Sequence, residues 1–410
     1  MITLINPPGI RNFKGIQPAQ DPNPPLGLAY IAGTLKHEGY KYTVIDAVGK
    51  AIDKIRKFNF EGLGQDTQYF IQGLSPEEIV LEISEDTKII GISCLFSINW
   101  PISKEIARLA RRRFPNALLV IGGEHATACP EYCLCNSDFD IVAVGESEQT
   151  FSSLVKVYLS NEDIYQVPGI AYTKGGNYTL NPRAARIREV NDIPPPAWES
   201  FPIEEYIDRH QISGSNLGRS MPLVATRGCP YQCTFCSSPS MWTTRYIPRD
   251  PNKIIEEMEY YMRRYQVTNF DFQDLTAIVK RAWVVEFCQK VIEKGLNITW
   301  QLPSGTRSEI CDEYIVDLLY RSGCRFVAFA PESGSVEVLE KIKKRVNLER
   351  LIESAKIATR RGINVTCFFV IGFPCDTRES LKQTMKVIRK LAIAGVGDVV
   401  VSKFAPYPGS

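Results

Sequence analysis

Two blocks in which strand and helix patterns alternate fill most of the 410-residue sequence and restrict the chain to α/β architectures. In both blocks, short runs rich in Val and Ile are followed by longer segments of helical period. Three consecutive prolines, residues 194–196, stiffen the chain between the blocks. The pattern therefore predicts two α/β domains joined by a spacer.

The first block, residues 1–155, predicts a doubly wound parallel sheet of the Rossmann-like kind, because strands that alternate with helices pair in parallel. Such sheets bind ligands beyond the carboxyl ends of their strands. Residues 50–87 are interpreted as a helical insertion between two of the strands. The five predicted strands are residues 2–5, 42–45, 88–93, 117–121 and 140–144.

The second block, residues 216–410, contains six strand patterns separated by helical segments and predicts a partial (β/α)6 barrel of the TIM type. Active sites of such barrels gather at the C-terminal ends of the strands. Residues 156–215 are interpreted as a linker with a short β-rich patch and the Pro-rich segment. The six predicted strands are residues 223–226, 269–272, 298–302, 326–330, 365–371 and 398–404.

Charge and hydropathy exclude some classes of function. The net charge of +2 provides no global field that favours nucleic acid or acidic lipid. No apolar run approaches the roughly 18–20 residues that span a bilayer, and the N-terminal segment lacks the regions of a secretion signal. The chain is therefore expected to be cytoplasmic, where thiols stay reduced. Its twelve cysteines are expected to serve metal binding or catalysis in some places and packing elsewhere.

Three cysteines stand close together after the first strand of the second block. Cys229, Cys233 and Cys236 have the spacing C-x3-C-x2-C. Three thiolates on a short loop can hold three irons of a [4Fe–4S] cluster, and the fourth iron is then open to a small molecule. The alternatives are a zinc knuckle or three buried thiols, but structural zinc sites take four ligands and this loop contains no fourth Cys or His.

The loop resembles the signature of the radical S-adenosylmethionine (SAM) enzymes, because the aromatic Phe235 precedes the last cysteine as in that family's C-x3-C-x-Φ-C pattern. Glu332-Ser-Gly334 and Ile371-Gly-Phe-Pro374 are similar to the motifs that follow the fourth and fifth strands in this family. The resemblance implies that SAM binds the open iron and is cleaved reductively to a 5′-deoxyadenosyl radical.

The same resemblance implies SAM-binding roles for residues at the ends of other barrel strands. Arg307 is expected either to pair with the SAM carboxylate or to form an ion pair at the barrel rim. Asp274 is interpreted as a cap of the following helix. The other expected contacts to SAM are Phe235, Gln273, Glu332 and Gly372.

The strand ends of the first block resemble the cobalamin-binding domain that precedes the barrel in many radical SAM enzymes. The resemblance is carried by Gly122-Gly-Glu-His-Ala-Thr127 and Gly145-Glu-Ser-Glu148. A nucleotide- or flavin-binding domain is the alternative, because glycine-rich turns occur in all of these folds. The implied cobalamin-binding residues are Ser93, Gly122, Gly123, His125, Thr127, Gly145 and Glu146.

One stretch departs from the cobalamin-binding pattern. Domains that supply an axial ligand use Asp-x-His-x-x-Gly after the second strand, whereas this chain has Asp46-Ala-Val-Gly-Lys-Ala51. Val48 stands where the histidine would be, and the three histidines of the chain are His37, His125 and His210. We therefore expect cobalamin to bind without an axial histidine from the protein.

A second group of cysteines, Cys129, Cys133 and Cys135, lies in the first block. Residues 129 and 133 would share one helix face, while residue 135 would point elsewhere. Because no strand-to-loop context surrounds these cysteines, they are interpreted as buried structural thiols.

The two resemblances together imply a cobalamin-dependent radical SAM methyltransferase acting on an unactivated carbon of a small-molecule, lipid or peptide substrate. Its electron donor would be a flavodoxin or ferredoxin. The alternatives are a cyclase or other oxidoreductase of the anaerobic porphyrin-ring type, and a non-catalytic cobalamin or redox sensor. Relatives continue past the turn at residues 407–410, so the chain is expected to be unusually short or a fragment.

Overall fold

A computed structural model describes residues 1–12, 23–59, 69–211 and 213–410. The chain divides into two compact units, residues 1–211 and 212–408. Within the ranges described, no helix combines the length and the apolar character needed to cross a membrane.

The first unit is built around a seven-stranded sheet. The strands of this unit, in both of its sheets, are β1 (Ile2–Asn6), β2 (Gly9–Asn12), β3 (Tyr42–Asp46), β4 (Ile55–Phe58), β5 (Tyr69–Gln72), β6 (Ile89–Ser93), β7 (Leu118–Gly122), β8 (Ile141–Ala143), β9 (Ile170–Lys174) and β10 (Asn177–Leu180). Its helices are α1 (Leu26–His37), α2 (Pro76–Glu82), α3 (Trp100–Arg113), α4 (Glu124–Ala128), α5 (Pro130–Cys135), α6 (Ser147–Leu159) and α7 (Ile203–Asp208).

The strand order of this sheet is β10-β9-β8-β7-β6-β1-β3. Strands β3, β1, β6, β7 and β8 are parallel, and β9 and β10 add an antiparallel edge. The predicted doubly wound sheet is therefore confirmed. The chain passes from β1 to one side and later to the other, so the order reverses between β1 and β6, where such sheets bind ligands.

The expected helical insertion at residues 50–87 is wrong for most of the described part. Strand β5 pairs with β2 on one side and with β4 on the other, in a separate three-stranded antiparallel sheet. Only α2, whose Ser75 and Glu78 form a capping box, and a short turn at Gly49–Ala51 are helical. Residues 60–68 of the insertion lie outside the described residues. The local sequence does not indicate this sheet, because β2, the partner of β5, is distant along the chain.

The second unit contains a six-stranded parallel sheet and its crossover helices. The strands of this unit, in both of its sheets, are β11 (Ser220–Leu223), β12 (Thr226–Arg227), β13 (Ile247–Pro248), β14 (Asn269–Phe272), β15 (Thr299–Thr306), β16 (Cys324–Glu332), β17 (Asn364–Ile371) and β18 (Asp398–Lys403). Its helices are α8 (Ser238–Trp242), α9 (Pro251–Tyr265), α10 (Arg281–Glu293), α11 (Glu313–Arg321), α12 (Val336–Lys341), α13 (Leu348–Arg361) and α14 (Arg378–Ile393).

The large sheet of this unit has the order β11-β14-β15-β16-β17-β18, which is the order of the chain itself. All five neighbouring pairs are parallel. Each strand before the last is followed by at least one helix, so the predicted partial (β/α)6 barrel is confirmed. The loops that follow these strands all begin at the same edge of the sheet, where barrel enzymes place their active sites.

Candidate functional site

The three-cysteine loop begins where the short β12 strand pairs with β13. Gly228, at φ +81°, turns the chain into the loop, and Cys229, Cys233 and Cys236 are each half-buried. The backbone N–H of Thr234 donates to the carbonyl oxygen of Ile342 at 3.0 Å. The loop is thereby fixed to the end of α12, with all three thiols on one short segment.

Phe235 packs the loop against an apolar cluster at the strand ends. Its ring centroid lies 5.5 Å from that of Phe373, which directly follows Gly372. The buried members of this cluster are Val338, Leu339, Ile342 and Phe373. Two of the residues predicted to bind SAM, Phe235 and Gly372, are thus brought to one place.

Lys344 is a positively charged neighbour of the loop that sequence reasoning missed. Its ammonium donates to Oε1 of Glu332 at 2.9 Å, and the two side chains are only 11% and 9% exposed. Burial raises the pKa of the Cys229 and Cys233 thiols, and the charge of Lys344 acts on both in the opposite direction. Nothing marks Lys344 in the sequence, because basic residues also occupy positions 341, 343 and 345.

Arg307 forms an ion pair at the barrel rim. Its guanidinium donates to Glu309 through Nε, at 3.1 Å, and through Nη2, at 2.7 Å. The same group lies 4.1 Å from the ring centroid of Tyr231 in the cysteine loop. Arg307 is therefore positioned against the loop by one carboxylate and one aromatic ring, and its contact with the SAM carboxylate stays a prediction.

Two strand ends have left-handed backbone conformations. Gly372 has φ +87°, and a Cβ added there would have no heavy atom within 4 Å. Its N–H donates to Oδ2 of Asp376 at 2.8 Å. Glu332 has φ +66°, which costs a non-glycine residue roughly 1–3 kcal/mol. Strain of this kind is typical of functional sites.

Gln273 and Asp274 follow β14. The backbone N–H of Gln273 donates to the carbonyl oxygen of Leu223 at 2.8 Å. The side chain of Gln273 is half-buried. Asp274 does not cap a helix as expected. It accepts hydrogen bonds from the N–H of Ala225 and the hydroxyl of Thr226, and burial raises its pKa to about 6. Asp274 thus ties β14 to the start of the cysteine loop.

The chemistry of this edge fits an iron–sulfur cluster with a bound small molecule. Three half-buried thiols on one loop are the soft ligands that such a cluster takes. Burial raises the pKa of Cys229, and the positive charges of Lys344 and Arg307 partly oppose that rise. The same charges would offset the negative charge of the thiolates. The open space at Gly372 lets a ligand approach the backbone closely.

The residues predicted to bind cobalamin lie at the carboxyl edge of the first unit's sheet. Ser93 and Gly122 are register partners at the ends of β6 and β7. The N–H of Gly145 donates to the hydroxyl of Thr127 at 3.0 Å. Glu146 is instead buried in an ion pair with Arg186 and accepts the N–H of Ile187 at 3.3 Å. The structure thus gives Glu146 a bracing contact within this unit.

The position of an axial histidine is apolar in this fold. Val48 is buried, with 3% of its surface exposed. Asp46, two residues earlier, accepts from the Asn6 side chain at 2.8 Å and from the Tyr206 hydroxyl at 3.0 Å. Burial raises the pKa of Asp46. A glycine-rich edge without an axial ligand fits cobalamin whose lower face is not held by a protein histidine.

Replacing Gly123 with alanine is expected to destabilise the first unit by roughly 2–4 kcal/mol. Gly123 has φ +110°, and an added Cβ would lie 2.5 Å from the carbonyl oxygen of Cys94. Gly122→Ala is the matched control, since the nearest heavy atoms to its Cβ are 3.8 Å away. Urea unfolding of both variants measures the difference, and equal midpoints would contradict the prediction.

The nine remaining cysteines occupy different environments. Burial raises the pKa of Cys288, Cys311 and Cys367 to about 12, as expected of packing thiols. Cys135 is exposed, so the interpretation of its group as buried thiols is wrong for this residue. A hydrogen bond with Cys133, aided by His125, lowers the pKa of half-buried Cys129 to about 5, against the effect of burial. Cys129 is not fully buried because it lies at the kink between α4 and α5 and not within either helix.

Comparisons with known families match both units. The family described as Radical SAM superfamily matches residues 223–388, and the family described as B12 binding domain matches residues 16–155. The first match covers the cysteine loop and the strand ends up to Gly372. The second covers the glycine-rich edge of the N-terminal sheet.

Curated proteins are similar to nearly the whole chain. An uncharacterized methyltransferase of Pyrococcus horikoshii is 28% identical over 100% of this chain and 81% of its own length. The cytidylyl-2-hydroxyethylphosphonate methyltransferase of Streptomyces wedmorensis is 31% identical over 94% of this chain and 76% of its own length. The anaerobic magnesium-protoporphyrin IX monomethyl ester cyclase of Cereibacter sphaeroides is 26% identical over 89% and 56%.

A solved structure shares the fold. The radical S-adenosylmethionine methyltransferase TsrM from Kitasatospora setae, with cobalamin and a [4Fe-4S] cluster bound, superposes with a TM-score of 0.74. The match covers 98% of this chain and 74% of TsrM at 16% identity. This chain therefore shares its fold with an enzyme whose structure is known.

Proposed function

Since the chain belongs to the radical SAM enzymes that carry a B12-binding domain, we propose that it is a cobalamin-dependent methyltransferase acting on an unactivated carbon. The observation that carries this proposal is the 31% identity to a methyltransferase over 94% of the chain. The proposed cofactors are a [4Fe–4S] cluster, SAM and cobalamin. The substrate is proposed to be a small molecule, a lipid or a peptide.

When bound, the cofactors would supply the difficult chemistry: reductive cleavage of one SAM to the 5′-deoxyadenosyl radical that takes a hydrogen atom from substrate, and methyl transfer from methylcobalamin, whose methyl comes from a second SAM. In the net reaction, one C–H bond is replaced by a C–CH3 bond. Two SAM and two electrons give S-adenosylhomocysteine, 5′-deoxyadenosine and methionine. The electrons are proposed to come from a flavodoxin- or ferredoxin-type donor.

The chain's own residues are proposed to bind and orient these groups. Cys229, Cys233 and Cys236 would ligate three irons and leave the fourth open. The buried Lys344–Glu332 pair lies close enough to the loop for both charges to act on the Cys233 thiol. Residues proposed to contact SAM are Phe235, Gln273, Arg307, Glu332 and Gly372, and those proposed to contact cobalamin are Ser93, Gly122, Gly123, His125, Thr127, Gly145 and Glu146.

Product analysis distinguishes this proposal from its alternative. Methylation is expected to yield S-adenosylhomocysteine and 5′-deoxyadenosine in about equal amounts per turnover, because each turnover consumes two SAM molecules in different ways. The similarity to a cyclase favours a cyclase as the second candidate. A cyclase would form 5′-deoxyadenosine without stoichiometric S-adenosylhomocysteine. Quantifying both products by mass spectrometry with candidate substrates decides between the two.

Cob(II)alamin bound to the chain is expected to show no electron paramagnetic coupling to a histidine nitrogen. Val48 occupies the position of the axial ligand, and His37 and His210 are exposed. The spectrum is compared between unlabelled protein and protein labelled with ¹⁵N-histidine. Identical spectra are expected, while a splitting that changes with the label would show that a histidine coordinates cobalt.

A further inference from the structure

Three ligand-type side chains outside the proposed machinery of the barrel converge in the first unit. One ligand atom from each of His125, Cys129 and Cys133 lies within 4.8 Å of the other two. His125 and Cys133 are buried, and Cys129 is half-buried. In the described parts of the chain, this is the set of His, Cys, Asp and Glu residues that meets this distance criterion for a single metal ion.

The local backbone explains how three residues at i, i+4 and i+8 converge. Helix α4 ends at Ala128, and Cys129 at φ −140° begins α5 in a new direction. The N–H of Cys129 donates to the carbonyl of His125, and the N–H of Cys133 to that of Cys129, both at 3.1 Å. The helical spacing across the kink therefore keeps the three side chains on one side.

The distance between the Cys129 sulfur and His125 Nε2 suits a tetrahedrally coordinated zinc ion. The sulfur of Cys129 lies 3.6 Å from Nε2 of His125. Zinc–sulfur bonds of about 2.3 Å and zinc–nitrogen bonds of about 2.0–2.1 Å, set at a tetrahedral angle, place the two ligand atoms about 3.6 Å apart. The pair therefore needs little movement to hold a zinc ion between its atoms.

The histidine has a hydrogen-bond partner at one ring nitrogen, as metal-binding histidines usually do. Its Nδ1 lies 3.0 Å from the hydroxyl of Ser97, and its ring packs on Trp100 at a centroid distance of 5.6 Å. A partner at one ring nitrogen fixes the orientation and leaves the other free for the metal. Here the nitrogen left free, Nε2, is the one closer to the Cys129 sulfur.

We infer that His125, Cys129 and Cys133 form a zinc site with one coordination position left for water or another small ligand. Two thiolates and an imidazole are ligands that zinc accepts, and three protein ligands leave the fourth position open. The inference does not rest on the proposed function, and it makes His125 a metal ligand in place of a cobalamin contact. Ser97 is then a positioning residue for His125.

Metal analysis of the full-length, cluster-reconstituted chain tests the site. The reconstituted state is used so that iron already occupies Cys229, Cys233 and Cys236. After incubation with Zn²⁺ and desalting under anaerobic conditions, about one zinc per chain is expected. Cys129→Ser is expected to lose this zinc with unchanged iron content. Cys135→Ser, which changes an exposed thiol in the same segment, is the matched control and is expected to keep it.

A second pair of measurements guards against a misfolded variant. Ser97→Ala is expected to weaken zinc affinity roughly tenfold in competition with a chromophoric chelator, because it removes the partner of His125. Cobalt(II) in place of zinc is expected to give the strong visible absorption of tetrahedral thiolate coordination. Absence of zinc from the unchanged protein, equal zinc in Cys129→Ser, or equal loss in Cys135→Ser would each overturn the inference.

Discussion

Cys233→Ala is expected to reduce bound iron from about four atoms per chain to near zero and to lower SAM cleavage by roughly a hundredfold or more. The three thiols of the loop are the proposed cluster ligands. Since no other cysteine belongs to this loop, none can replace Cys233 there. Iron and sulfide are assayed after anaerobic reconstitution, and 5′-deoxyadenosine is measured after reduction.

Cys375→Ser is the matched control for this prediction. Cys375 is a half-buried thiol that packs against the same apolar cluster as Phe235 but lies outside the loop. Its replacement is expected to leave about four irons per chain. If Cys233→Ala retained a full cluster, or if both variants lost it equally, the assignment of the loop as the cluster site would be wrong.

Lys344→Met is expected to destabilise the second unit by about 3–5 kcal/mol, because it leaves the buried carboxylate of Glu332 without its partner. The unfolding free energy is measured by urea titration with tryptophan fluorescence, since Trp283 and Trp300 both lie in this unit. Adding Glu332→Gln to Lys344→Met is expected to recover much of the loss, because the uncompensated charge is then removed.

Lys341→Met provides the comparison for Lys344→Met. Lys341 pairs with Glu337 on the same segment, but these side chains are 52% and 73% exposed. An exposed pair contributes about 0–1 kcal/mol. Similar destabilisation by the two methionine variants would show that the Lys344–Glu332 pair does not contribute the stability expected of a buried ion pair.

Much of the fold could be predicted from the sequence because each strand of the two parallel sheets is a local pattern. Buried parallel strands such as β6 and β7 read as continuous apolar runs, and their helices as amphipathic segments. The cysteine loop is equally evident in the sequence, since its three proposed ligand residues lie within eight positions. Features encoded within a short segment need no knowledge of tertiary contacts.

Features that depend on distant partners could not be predicted. The sheet formed by β2, β4 and β5 joins segments separated by tens of residues. The motif at residues 332–334 predicts a role for Glu332, but its pairing with Lys344 depends on the turn of the chain after α12. The position of Asp274 before a helical segment predicts a cap, whereas its partners, Ala225 and Thr226, lie about fifty residues earlier, at the start of β12. The convergence of Cys129 with His125 likewise depends on the kink between α4 and α5, which the sequence pattern does not indicate.

The most direct test of the central proposal is transfer of labelled methyl from SAM to cobalamin on the reconstituted full-length chain. The chain is loaded with iron, sulfide and cobalamin, reduced, and given methyl-labelled SAM without substrate. We expect about one cobalamin per chain, labelled methylcobalamin and an equal amount of S-adenosylhomocysteine. A chain that binds the cluster and SAM but retains no cobalamin, or forms no labelled methylcobalamin, would contradict the proposed methyltransferase.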